Sequence, residues 1–256
     1  MSVSAIPIRT LKNNYAWLIV ANRKHAAVID PGEAGPVLQV LTEKGLTLDM
    51  ILLTHLHPDH CGGTPELHRA FPEARIVMHP DDAGRVDFPV NQQVGEGDSI
   101  GFNENAITIM HLPCHTRGCV AYRITDYLFT GDTLFTAGCG KFFEGTATEM
   151  LANLNRLKNL PENLMICCGH EYTVENLAYA TQADPDNAVL SERLATACRD
   201  EAAGRFLVPA PLSLELKTNP FLRLDNPQLQ RNLGTGSDLE TLIALYKIYY
   251  QQTPAT

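Results

Sequence analysis

Short apolar runs broken by polar or glycine-rich segments dominate the chain up to residue 172, and helical periodicity replaces them beyond it. Tyr15 to Val20 and Ala26 to Ile29 flank the polar segment ANRKH, a pattern that predicts a β-hairpin. Asp30-Pro31-Gly32 stops the second run. From about Gly35 to Lys44 the chain suits a helix, with Val37, Leu38, Val40 and Leu41 facing a core. Met50 to Leu53 reads as a buried strand ending at Thr54, and a helix carrying Leu67 and Phe71 is expected after Gly63. Further strands are expected over Ile76 to Met78, Ala106 to Leu112, Cys119 to Ile124, Tyr127 to Thr130 and Leu164 to Cys168, with a helix over Thr146 to Leu157. This alternation predicts layered α/β packing. Val174 to Thr181, Ala188 to Arg205 and Asp238 to Tyr250 then carry helical patterns, with Pro209 to Pro220 between the second and third. The expected organisation is one domain over 1–172 and a helical region over 173–256.

Polar candidates fall where apolar strands end, and there a rigid sheet can present ligands from loops. Thr54-His55-Leu56-His57-Pro58-Asp59-His60 packs His55, His57, Asp59 and His60 directly after the Met50 to Leu53 strand. On an extended backbone, alternation points His55 and His57 the same way. A turn at Pro58 brings Asp59 and His60 to a neighbouring position, and Gly62-Gly63 permits a close turn before the next helix. His115 in LPCHTRGC, Asp132 in FTGDTLF and His170 in CCGHEYT each follow another apolar strand. Five histidines and two aspartates suffice for two cations sharing one carboxylate, and these donors suit zinc, manganese or iron.

Composition narrows the setting. The 256 residues carry 45% hydrophobic content and a formal charge of -9, with 29 acidic against 20 basic residues. No Lys/Arg run marks a phosphate-binding face, so nucleic acid and anionic membranes are not expected partners. The seven cysteines, at 61, 114, 119, 139, 167, 168 and 198, are odd in number and lack a repeated CxxC arrangement. They point to a reducing compartment. The opening MSVSAIPIRTLKNNYAW has neither a basic n-region nor a long apolar stretch, and no window approaches the roughly 18 apolar residues of a membrane span. A cytoplasmic location follows as the expectation.

THLHPDH resembles the THxHxDH motif of the metallo-β-lactamase superfamily, and its continuation is similar to the glyoxalase II (hydroxyacylglutathione hydrolase) family. The resemblance spans nearly the whole chain, through DPG at 30–32, CHT at 114–116, GDTLF at 131–135, GCGKFFEGT at 138–146, GHEYT at 169–173 and NPFLR at 219–223. It implies an αββα sandwich with a C-terminal helical domain for substrate binding. It assigns His55, His57 and His115 to one metal, Asp59, His60 and His170 to a second, and Asp132 to a bridge between them. Two divalent ions are implied, zinc by default, with iron or manganese as alternatives. The implied reaction is hydrolysis of S-2-hydroxyacylglutathione thioesters, especially S-D-lactoylglutathione, by a metal-activated water that Asp59 helps to orient.

The resemblance also assigns Lys141, Phe143 and Tyr172 to the thiol-bearing part of the substrate. Phe143 stands where a tyrosine is common in the family, and Cys114 and Cys119 stand where glycine and histidine are common. The family's C-terminal helix carries a basic cluster that clamps a glutathione carboxylate. The comparable stretch here, LYKIYYQQ at 245–252, offers only Lys247. Tyr246, Tyr249 and Tyr250 read as packing residues, partly at an interface. A thioesterase acting on another low-molecular-weight thiol is therefore one alternative. A single-iron persulfide dioxygenase, a β-lactamase or phosphodiesterase-like hydrolase, and a metal-binding protein without turnover are the others. The complete second ligand set and the C-terminal resemblance favour the glutathione thioester.

Overall fold

The structure is a computed structural model that describes residues 3–21, 24–251 and 254. Residues 22–23 of the expected hairpin segment and residue 252 of LYKIYYQQ lie outside the described residues. The chain forms two compact units. The first comprises the described residues of 1–112, 116–131 and 167–171, and the second those of 113–115, 132–166 and 172–256.

In the first unit, β1 (Ser4–Thr10), β2 (Asn14–Val20), β3 (His25–Ile29), β4 (Thr47–Leu52), β5 (Arg75–Met78) and β6 (Gln92–Gln93) form one sheet in that order. The first three strands are antiparallel and β3 to β6 are parallel. Parallel neighbours need crossovers. These carry α1 (Ala34–Lys44), the short α2 (Pro58–Cys61) with α3 (Thr64–Ala70), and α4 (Pro80–Ala83). The strand β1 escapes a sequence reading because Pro7 interrupts it. Its position at the sheet edge is where a strand tolerates a residue without an N–H.

A second, antiparallel sheet follows: β7 (Ser99–Phe102), β8 (Asn105–His111), β9 (Val120–Ile124) and β10 (Tyr127–Gly131), with Cys167 and Cys168 beside β10. Both faces of the first sheet are covered. Ala16, Leu18, Val28 and Ile51 meet Val37 and Leu41 of α1 and Leu67 of α3 in one apolar cluster. The alternate residues Tyr15 and Trp17 face the second sheet, where Trp17 lies edge-on to Phe129 at 5.9 Å and donates to the Cys168 carbonyl at 2.9 Å. Strands buried on two faces read as continuous apolar runs, so β2 and β3 are conspicuous in the sequence.

In the second unit, β11 (Leu134–Phe135) and β12 (Gly138–Cys139) form a small hairpin. Then come α5 (Ala147–Lys158), β13 (Met165–Cys168), α6 (Thr173–Ala183) and α7 (Ala188–Ala202). The first two residues of β13 pair with β14 (Ala210–Pro211), which leads into α8 (Leu212–Thr218), a 3₁₀ turn (Pro220–Leu222), α9 (Pro227–Leu233) and α10 (Asp238–Tyr250). Thr146 and Glu149 form the capping box that starts α5. The helix α7 stops at Ala202, short of Arg205, because Gly204 takes φ +71°. Gly204 and Arg205 there return N–H bonds to the Glu201 and Asp200 carbonyls, closing the helix end. The two-turn helices α8 and α9 carry too few periodic positions to stand out in the sequence. Among the described residues no helix is long and apolar enough to cross a membrane.

Tyr122 of β9 ties the two sheets of the first unit by donating to the Leu53 carbonyl at 2.9 Å. Tyr122→Phe leaves that buried acceptor short of a partner and is expected to cost about 1 kcal/mol in urea unfolding, with the far-ultraviolet circular dichroism unchanged. Unaltered stability would show that the hydroxyl bond contributes nothing net.

Candidate metal centre

The first unit assembles its polar cluster at the exits of β3 and β4. Asp30 ends β3 in a left-handed conformation, φ +50°, and is almost fully buried. Its Oδ1 accepts the Thr54 N–H at 2.8 Å, and its Oδ2 accepts the Thr54 hydroxyl at 2.6 Å. With that hydroxyl proton committed, Thr54 Oγ1 accepts from His55 Nδ1 at 3.0 Å. The His55 Nε2 lone pair then faces His57 Nδ1 at 3.1 Å. Asp30 Oδ2 also lies 3.0 Å from His60 Nδ1, and with the proton on Nδ1 the neutral ring turns its Nε2 lone pair toward Asp59 and His170. One carboxylate thus sets the tautomers of two histidines.

After His57 the chain turns into α2, with Pro58 at its first position, and the turn carries Asp59 and His60. A Cβ on Gly63 would lie 2.6 Å from backbone atoms of Pro31, Glu33 and Ala34, so this close turn requires glycine. Asp59 Oδ2, His60 Nε2 and His170 Nε2 form a triangle. Its edges are 3.6 Å between Asp59 and His60, 3.4 Å between Asp59 and His170, and 3.2 Å between the two histidines. Tetrahedral ligation with arms of about 2.0–2.1 Å spaces ligand atoms roughly 3.3 Å apart. The donor set and its spacing therefore fit a first-row divalent cation. Asn14 orients the carboxylate, its amide donating to Asp59 Oδ2 at 2.9 Å and to the Asp59 carbonyl at 3.2 Å. It lies beside His170 because Asn14 and His170 share an isolated β-bridge.

His115 and Asp132 belong to the second unit, where His115 Nε2 lies 3.5 Å from Asp132 Oδ2. His115 Nδ1 bonds the Lys141 carbonyl at 2.9 Å, and as donor there it leaves Nε2 with its lone pair. Such contacts to the second ring nitrogen are typical of metal-binding histidines.

Three residues with supporting roles carry no mark in the sequence beyond the DPG motif: Asn14, Asp30 and Asp82. Asp82 is fully buried and accepts from the Leu56 N–H at 3.0 Å, the Thr116 hydroxyl at 2.8 Å and the Gly118 N–H at 3.1 Å. Burial raises its pKa above the usual carboxylate range, while those bonds pull it back. Asp82 fixes the backbone between His55 and His57.

A further group, His79, Asp81 and His111, is arranged differently. The rings of His79 and His111 stack at 4.0 Å and 11°, His79 Nδ1 accepts the Asp81 N–H, and His111 Nε2 bonds the Arg117 carbonyl. One nitrogen of each ring is thus committed to the backbone. Burial, then His111, lowers the His79 pKa. Six of the seven cysteines are buried. Burial, aided by Asp30, pushes the Cys61 thiol up to about 12, and burial raises Cys139 and Cys167 as well, so none of these three is a ready thiolate. Cys119 Sγ lies 3.2 Å from the Thr116 N–H, and Cys114 Sγ lies 3.4 Å from the Thr146 carbonyl.

Among the residues expected to meet substrate, Lys141 Nζ sits 5.3 Å over the Tyr250 ring, and Phe143 is exposed beside the His115 ring. Tyr172 packs edge-on to Phe135 at 5.3 Å. Lys247 is exposed on α10, whereas Tyr246 and Tyr249 are buried. The tyrosines of α10 pack internally and bond the segment that bears Lys141.

Known proteins share this plan. Residues 9–170 match the metallo-beta-lactamase superfamily model, and residues 171–248 match that of the hydroxyacylglutathione hydrolase C-terminus. Among solved structures, ETHE1 from Myxococcus xanthus superposes with TM-score 0.69 at 23% identity, covering 99% of this chain and 92% of that one. The BLEG-1 B3 metallo-beta-lactamase gives 0.66 at 22% identity, over 86% and 99%. These likenesses define the fold as that of the metallo-β-lactamases, an α/β class whose His/Asp groups bind divalent metal. Hydroxyacylglutathione hydrolase of Photobacterium profundum is 41% identical over 252 residues, covering 96% of this chain and 97% of that one. The counterpart from Xanthomonas campestris pv. campestris (strain B100) is 42% identical over 230 residues, covering 90% and 88%. The chain belongs to the hydroxyacylglutathione hydrolase family.

Asp30→Ala removes the acceptor that sets the His60 and His55 tautomers. Chelator competition on the zinc-loaded protein is expected to show metal affinity lowered about 10- to 100-fold. Unchanged affinity in a folded variant would rule out that role for Asp30.

Proposed function

We propose that this chain hydrolyses S-2-hydroxyacylglutathione thioesters, with S-D-lactoylglutathione, yielding D-lactate and glutathione, as the leading substrate. In this reading His55, His57 and His115 hold one divalent cation, Asp59, His60 and His170 hold the other, and Asp132 bridges them. The Asp59–His60–His170 triangle carries the reading, because its spacing fits a cation and its residues are those the family resemblance names. Zinc is the leading metal on donor chemistry, with iron and manganese as alternatives.

When bound, such a pair of cations supplies Lewis acidity and makes water nucleophilic at neutral pH. The chain's own residues do the rest. Asp59, held by the Asn14 amide, orients the attacking water through its carboxylate. The departing thiolate is a stable leaving group, so no strong protein acid is needed, and attack by water requires no cysteine nucleophile. Lys141 pairs with a substrate carboxylate, Tyr172 donates a hydrogen bond and offers an apolar ring, Phe143 adds aromatic area, and Lys247 supplies a second cation. A reducing, cytoplasmic setting agrees with glutathione as the thiol and with the buried free cysteines.

The departure on α10 favours a second reading. With tyrosines at 246, 249 and 250, the helix presents Lys247 as the single basic residue between Asp238 and Tyr250. A smaller or less anionic thiol would be accepted equally well. A panel of lactoyl thioesters decides: kcat/KM at least 10-fold higher for the glutathione ester supports glutathione specificity, and equal or better turnover of other thiols would sink it. Chelation is expected to abolish hydrolysis and added zinc to restore it. Full activity in a verified metal-free sample would reject the mechanism.

A further inference from the structure

The sharp turn between β11 and β12 is buried, and the Phe135 to Gly138 carbonyls each accept a hydrogen bond from a side chain of the C-terminal helices or of the Asn219 cap between them. Asn219 Nδ2 donates to the Phe135 carbonyl at 3.0 Å and to the Gly138 carbonyl at 3.2 Å. Asn176 Nδ2 donates to the Thr136 carbonyl at 3.0 Å, and the Tyr249 hydroxyl to the Ala137 carbonyl at 2.7 Å. The Ala137 N–H donates to Glu215 Oε2 at 2.9 Å, and Glu215 is itself paired with Arg193. The Tyr250 hydroxyl reaches the Cys139 carbonyl, and the Phe142 N–H lies 3.4 Å from the Tyr246 hydroxyl. Asn219, Glu215 and Tyr249 are buried, so these bonds replace water that cannot reach the turn.

Ala137 has φ +51°, a left-handed conformation that a non-glycine residue keeps only where its surroundings enforce it. The turn therefore depends on the helices. It also dictates where two ligands sit. Asp132 precedes β11 by two positions, and the chain leaving β12 returns over it. A Cβ on Gly140 would fall 1.7 Å from the Asp132 carbonyl oxygen. One residue later, the Lys141 carbonyl holds His115 Nδ1 at 2.9 Å. A shift of the turn moves Asp132 through the backbone and His115 through this hydrogen bond.

We propose that Asn219, Glu215 and Tyr249 are positioning residues for the metal ligands His115 and Asp132, so that the C-terminal helices govern metal retention as well as carrying substrate contacts. The proposal rests on the binuclear reading above. NPFLR, which the ligand assignment leaves without a task, gains one through Asn219. Outer contacts that orient ligands are typically worth 10- to 100-fold in metal affinity.

The test is equilibrium removal of zinc from the zinc-loaded full chain by a chelating dye, read as zinc retained per chain, with circular dichroism as the check on folding. Asn219→Ala is expected to weaken retention about 10- to 100-fold. Tyr249→Phe keeps the ring, loses only the hydroxyl and decides the matter if Asn219→Ala does not fold; it is expected to weaken retention at least several-fold. Asn187→Ala is the control: it removes the cap of α7 and a bond to the Lys217 carbonyl without touching the turn, and wild-type retention is expected. Wild-type retention in folded Asn219→Ala or in Tyr249→Phe would overturn the proposal, as would equal weakening by Asn187→Ala. A wild-type chain holding fewer than two zinc ions would instead sink the binuclear reading, and the proposal with it.

Discussion

A single buried carboxylate decides how the first of the proposed ligand groups is wired. Asp30 receives the Thr54 N–H, the Thr54 hydroxyl and His60 Nδ1, and through Thr54 it reaches His55. The contacts to His60 Nδ1 and, through Thr54, to His55 Nδ1 place a proton on the far side of each ring and leave a lone pair on the near side. Without that wiring, clustered imidazoles would share protons among themselves and present no consistent donor set. The left-handed backbone at Asp30 is the conformational cost, about 1–3 kcal/mol for such a residue, and the packed exit of β3 enforces it. The two-sheet core is thus linked directly to chemistry, since β3 and β4 place Asp30 and Thr54 side by side.

The second unit solves the same problem by different means. The ligands proposed there, His115 and Asp132, are held through a hairpin whose polar backbone is satisfied from α6, α8, α10 and the Asn219 cap. In the first unit Asp30 acts on the side chains of the proposed ligands and Asp82 on their backbone, whereas in the second unit helix side chains act on the backbone that bears them. Both devices keep polar groups paired in places closed to water, where an orphaned group would be expensive.

Much of this was legible in the sequence, for physical reasons that also mark the boundary. Strands such as β2 and β3, buried on both faces, stand out as apolar runs, and α1, α5 and α10 carry several turns of periodic burial. Pro7 hides the edge strand β1, and α8 and α9 are too short to establish a period. The density of THLHPDH exposes its own chemistry, because so many donors in one place need a common partner. Asn14, Asp82, Glu215 and Asn219 are single polar residues whose partners lie far along the chain, as with Asn14 and Asp59, 45 residues apart, and Asn219 and Phe135, 84 apart. Only the fold discloses such pairings. The internal packing of Tyr246 and Tyr249 likewise emerges once α10 is seen against the segment bearing Lys141.

The central claim is that two divalent cations lie among these histidines and aspartates. Anomalous diffraction from crystals of the zinc-loaded protein, collected on either side of the zinc edge, tests it most directly. The account predicts two peaks, one ligated by Asp59, His60 and His170, the other by His55, His57 and His115, with Asp132 reaching both. A single peak, or peaks away from these residues, would contradict it.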